Sequence, residues 1–253
     1  MMLRMLAVLV CAGVAAGQSF EVASVKPSTT GPKGPPVHGG PGSTDPGTVT
    51  LTFIDLSRLI AMAYGINPYQ MVGPDWLSSS HFDIAAKLAP GTTVQQYRLM
   101  LQNLLADRFK MTFHRDQKEG RVFDLVVAKN GAKLKESGPD PSPMDDGSVQ
   151  PPFGPPSPPP GYNGPLTLFV RHCSMDQFAA RLSGLMGQSV SNATALNGEY
   201  EIRLAYTLAG LQVDAPSATI FDALRELGLN LTQRKGTIDL LVIDRIEKVP
   251  TGS

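Results

Sequence analysis

Residue types able to support acid–base, nucleophilic or metal chemistry are few and scattered in this 253-residue chain. The histidines are His38, His81, His114 and His172, and the cysteines are Cys11 and Cys173. No histidine stands at metal-ligand spacing from another or from a carboxylate, so zinc is not expected. H-E-x-x-H, C-x-x-C, G-x-S-x-G and the glycine-rich phosphate loop ending in Lys-Ser/Thr are all missing. His172 and Cys173 are neighbours, but adjacent strand residues point to opposite faces, which works against a thiol–imidazole dyad. Cys173 closes the apolar stretch LTLFVRHCSM and reads as a buried thiol. Each histidine reads as a solvated surface residue, His114 on a polar strand face with Lys110 and Thr112.

Two carboxylate pairs could approach on an open sheet face, Asp83 with Asp124 and Glu201 with Asp239. Nothing in the sequence raises their pKa values or supplies a substrate cleft. HRDQKE, residues 114–119, clusters charge in an expected hairpin loop, either a binding tip or a solvated turn. Trp76, after a Gly73-Pro74 turn, is expected to seal the edge of a core, with sugar or peptide stacking as the sharper alternative. Asn192-Ala193-Thr194 is a glycosylation sequon. No catalytic, cofactor-binding or metal-binding residue is assigned from these patterns, and no cofactor is implied.

The elements that would position these groups follow from periodicity. In TVTLTFI, Val49, Leu51 and Phe53 alternate with Thr48, Thr50 and Thr52. Asp55 can cap a helix with Leu56, Leu59, Ile60 and Ala63 on one face and Gly65 at its end. HFDIAAKL alternates again, with Phe82, Ile84, Ala86 and Leu88 inward. A second helix carries Val94, Tyr97, Met100, Leu101, Leu104 and Leu105, and FKMTFHR with RVFDLVVAK forms an expected hairpin. The second half repeats the order: strand LTLFVRH, a helix started by Ser174, strand YEIRLAY with Tyr200, Ile202, Leu204 and Tyr206 inward, helix ATIFDALREL, and a tight hairpin in LNLTQRKGTIDLLVID.

KEGRVFDLVVAKNGAK near 118 and RKGTIDLLVIDRIEK near 234 share an order of residues that matches Asp124 to Asp239. The expected fold is α+β: two tandem, internally duplicated β-α-β-β-α-β-β modules, each with helices on one face of a small sheet. The segments are a signal peptide at 1–17, an N-terminal strand and Gly/Pro-rich arm at 18–47, a first module at 48–136, a Pro-rich linker at 137–165, a second module at 166–249 and a tail at 250–253. Proline fixes φ and removes backbone donors, so 137–165 reads as a semi-rigid spacer. A polyproline ligand for another protein's groove is the alternative reading.

MMLRMLAVLVCAGVAAG carries an early Arg4, an apolar run and a small-residue cleavage context. The run is too short to span a bilayer, so the mature chain is expected to be exported without a transmembrane segment and to act in the periplasm or outside the cell. Lipidation at Cys11 is disfavoured because Val8-Leu9-Val10 lacks a small residue immediately upstream. Twenty-two basic and 22 acidic residues cancel, which argues against nucleic acid or an anionic bilayer as partner.

FEVASVKPS, YGINPYQMVGPDWLSSSHFDIAAK, LLADRFKMTFHRDQKEGRVFDLVVAKNGAKL, NGEYEIRLAYT and LLVIDRIEKVP together resemble the soil-associated acidobacterial family of unknown function. That resemblance implies an exported, paralogue-rich protein with no established activity and no catalytic residues to carry over. Its occasional fusion to membrane sensor-peptidase modules implies sensing or docking outside the cytoplasm. The second half is similar, more faintly, to the short N-terminal domain of secretins and TonB-dependent receptors, periplasmic modules that bind partner proteins. The expected function is therefore a non-catalytic interaction or sensing module whose partner is another envelope protein. The alternatives are a secreted hydrolase with a carboxylate/His site between the modules and a carrier of a small apolar ligand.

Overall fold

The computed structural model describes residues 19–21, 23–29, 31, 36–138, 166–207 and 220–251. The expected signal peptide at 1–17 and nearly all of the expected Pro-rich linker lie outside these described residues. The fold is α+β, with four helices and three small sheets among the described residues. No described helix is long and apolar enough to cross a membrane.

The first lobe is built on a four-stranded antiparallel sheet: β1 (Ala23–Pro27), β5 (His81–Lys87), β3 (Thr48–Asp55) and β2 (Val37–Gly39), in that spatial order. Val49 and Leu51 point into the core as expected, but Phe53 does not. The register breaks between Leu51 and Ile54, and Phe53 takes φ 51°. This bulge turns Phe53 outward, where it stacks on His81 at 3.9 Å, and Ile54 takes the inward position.

Asp55 then caps helix α1 (Leu56–Tyr64), its carboxylate accepting the Arg58 amide at 2.8 Å, and Gly65 ends the helix in the left-handed region. Thr93 and Gln96 form a capping box for α2 (Val94–Phe109). The α2 stripe is buried except for Val94, which sits in the first turn and is 40% exposed.

The second lobe follows the same order. Strand β8 (Leu166–Ser174) leads into α3 (Met175–Met186), then β10 (Glu199–Tyr206) and α4 (Ile220–Glu226). β10 is flanked by β8 and the two-residue β7 (Lys135–Glu136). All four inward positions expected of β10 are buried. His172 has φ 46° two residues before the helix cap Ser174, as Phe53 does before Asp55.

The expected hairpins are absent. β6 (Thr112–Val127) and β11 (Leu229–Arg245) are each one long strand, and they pair with each other in an antiparallel ladder running from Val127·Leu229 to Thr112·Arg245. The polar, glycine-bearing stretches that resemble turns meet at the middle, with Gly120 opposite Gly236. β4 (Met71–Val72) joins β11 and β9 (Ser189–Asn192) joins β6, both in parallel, giving the order β4-β11-β6-β9.

Strand alternation divides this ribbon cleanly. Leu241 and Ile243 enter the first core, and Phe123, Leu125 and Leu229 enter the second; all of these lie on the odd-numbered face. The even-numbered face carries a third, small cluster of Val122, Ile238 and Leu240 against Tyr69 and Val242. The chain thus passes from the first lobe to the second inside β6 and returns inside β11. Neither core is made from its own sequence segment alone. Residues beyond each ribbon end dock the same way: Lys133 N–H donates to Leu227 O at 2.8 Å, and Glu247 N–H donates to Phe109 O at 2.7 Å.

Candidate functional site

The structure holds the four candidate carboxylates apart, each on its own partner. Asp83 accepts the Phe53 amide at 2.8 Å, and so stabilises the β3 bulge. Asp124 pairs with Arg234 at 2.8 Å. Glu201 lies 3.1 Å from Lys135 and 3.7 Å from Arg171. Asp239 accepts from Gln117 at 2.7 Å. Asp124 and Asp239 do not match structurally either: one is on the even face of the ribbon and the other on the odd face. Counted four residues on from the facing glycines, the equivalent of Asp124 is Leu240, and in the ladder itself Asp124 faces Thr232. Residues 114–119 are exposed strand rather than a loop tip. Charges along an open strand edge are a common guard against unwanted pairing.

Two histidines have carboxylate partners that the sequence did not reveal, because both partners are distant along the chain. His114 Nδ1 lies 2.7 Å from Asp244, across the ribbon. His172 Nδ1 lies 3.2 Å from Glu199, and the His172 amide donates to the Ser137 hydroxyl at 2.9 Å. The second arrangement holds the β8 bulge in place. No group of three or more His, Cys, Asp or Glu poised for a metal ion occurs among the described residues.

Cys173 is fully buried beside His172 in the chain but faces the core. Burial pushes its thiol pKa up, with nearby Arg181 opposing. A thiol held protonated inside a core is a poor nucleophile. Trp76 packs against the first core, with Lys248 5.9 Å above its ring. The Asn192 side chain is already engaged: it accepts from the Thr194 amide and hydroxyl and donates to Asp176 at 3.0 Å.

A groove of about 330 Å³ runs between Ser19, Phe20, Glu21 and Ala23 on one side and α2 on the other. Phe20, Met100 and Leu104 give it apolar walls, and Glu21, Asp107 and Arg108 a mixed-charge rim. It carries no convergent acid–base pair.

The surface with the clearest binding character is the β8 side of the second sheet. Leu168 and Val170 anchor β8 in the core, whereas Phe169 is 44% exposed, with the Arg171 guanidinium 5.2 Å from its ring centre. Among the described strands β8 pairs only with β10, along one edge. In the first lobe β3 also leads into a helix, and its edge away from β5 is covered by β2, with Val37 opposite Leu51.

A family model described as "Protein of unknown function (DUF3738)" matches residues 57–246. The chain belongs to this family. The match covers α1 from its second residue onward, the other three helices and the whole β6–β11 ribbon, and it begins after β1, β2 and β3 of the first sheet. Comparisons with curated proteins and with solved structures return no match.

Proposed function

We propose that this DUF3738 protein is an exported, non-catalytic docking module that receives an extended segment of another envelope protein along β8. The observation that carries this reading is the edge of β8, which no described strand covers although its counterpart β3 is covered by β2. Strand addition at such an edge supplies main-chain hydrogen bonds, and alternate side-chain contacts then select the partner. The counterpart relation treats the two halves as copies of one unit, a reading supported by the matched bulges at Phe53 and His172 and by the shared element order. Export rests on the 1–17 signal pattern.

The test is a photo-crosslinking residue placed at Phe169 and, as a control, at Lys26 on the first lobe. Docking at β8 predicts one reproducible adduct from envelope extracts at 169, lost when the adjacent Arg171 is replaced by Glu, and none at 26. Equal labelling at both positions, or a protein that stays in the cytoplasm with residues 1–17 attached, would remove the proposal.

A further inference from the structure

We propose that the two lobes are a hinged pair that flexes at the Gly120–Gly236 pair, and that the Asn67–Gln70 turn is the catch holding them closed. Among the described residues the middle of the ribbon is two strands wide. β4 supports β11 only at Leu241 and Val242, and β9 supports β6 only from Val122 to Leu125. Two-stranded ribbons twist and bend more readily than wider sheets. At the middle of this one, two glycines face each other without side chains of their own, and Val122 and Ile238 reach over them. Residues 114–119 and 232–235 around them are exposed, and the two large cores meet the ribbon at opposite ends.

One turn of the first lobe reaches across. Tyr69 packs on the Val122–Ile238–Leu240 cluster, and its hydroxyl approaches Ser183 and Ser189 of the second lobe. Gln70 donates to the Asp239 carbonyl at 3.3 Å, which fixes the turn to the first-lobe side of the ribbon. Asn67 Oδ1 lies 3.2 Å from where a Cβ on Gly184 of α3 would stand, so a bulky side chain there crowds the Asn67 side chain. Bending at the glycine pair breaks the contacts of Tyr69 and Asn67 with Val122, Ser183, Ser189 and Gly184 together, which makes Tyr69 the residue that sets the closed population.

The experiment measures the distance between spin labels at Lys26→Cys and Arg203→Cys, exposed positions of the two lobes, in a Cys11→Ser background. Cys173 is shielded by burial. The expected result is a single narrow distribution for the parent and a broadened or displaced one for Tyr69→Ala. Gly184→Leu should give the same change by displacing Asn67 while leaving Tyr69 intact. Tyr69→Phe, which keeps the ring packing, should fall between. If Tyr69→Ala fails to fold, Gly184→Leu and Tyr69→Phe decide the matter. Unchanged narrow distributions in the folded variants would overturn the hinge, and so would a parent distribution as broad as theirs.

Discussion

Leu241 lies in the last strand of the second sequence half, yet it is 1% exposed inside the first core. Truncation to alanine removes about three methylene-sized groups, each worth roughly 0.8 kcal/mol of burial, so the transfer part is ~2.4 kcal/mol. The cavity left behind raises this to about 3–4 kcal/mol, inside the range for buried leucines. The loss should fall on the lobe that Leu241 packs in. Native-state hydrogen exchange is the assay: amides of α2 and β5 should exchange about 100- to 700-fold faster, while those of α3 and β10 keep their protection. Phe123→Ala should do the reverse, since Phe123 of the first sequence half is buried in the second core. If Leu241→Ala instead loosened the second lobe and spared the first, the crossing of the chain through the ribbon would be refuted. Equal loss in both lobes would mean one cooperative unit and would contradict the two-lobe description.

Three further outcomes are expected. Gly236→Ala should cost about 1–3 kcal/mol, because its new Cβ would stand 2.6 Å from Cγ2 of the branched, buried Val122. Gly120→Ala meets only the flexible tip of Ile238 at 2.8 Å and should cost less; urea midpoints compare the two. Tyr97 buries its hydroxyl without a partner among the described residues, so Tyr97→Phe should stabilise the protein by about 1 kcal/mol at neutral pH in denaturant titrations. Burial also raises the Tyr97 pKa above its unfolded value near 10. The unfolded chain therefore sheds that proton first, stability falls as pH rises past about 10, and Tyr97→Phe should flatten the fall. Cys173 should react with a thiol reagent only after unfolding, as followed by absorbance; fast reaction in the native state would contradict its burial.

Much of the architecture was legible because local chemistry encodes it. Asp55 and Ser174 announce their helices as caps, and period-two alternation assigns Phe82, Ile84, Tyr200 and Leu204 to the interior. The bulge at Phe53 was hidden, since a left-handed phenylalanine carries no sequence mark of the kind glycine gives. Strand partners were hidden for a different reason. Polar residues around Gly120 and Gly236 suit a turn and a solvated ribbon equally well, and only tertiary packing chooses between them. At the candidate site, isolated carboxylates were visible but their partners were not, because Asp124 meets Arg234 and His114 meets Asp244 across more than a hundred residues of chain. The exposed Phe169 can be read from strand alternation, whereas the uncovered edge of β8 could be seen only once β2 was found on β3.

The ribbon itself can be tested by one covalent measurement, with Glu119→Cys and Thr237→Cys in a Cys11→Ser background. These residues are directly opposite across β6 and β11. Opposed antiparallel residues have Cα atoms about 4.5–5.5 Å apart, within the range a disulfide spans. Mild oxidation should give an intrachain bond joining peptides that contain 119 and 237, with the chain remaining monomeric. Thiols that stay reduced, or that link only between chains, would show that the two long strands do not meet.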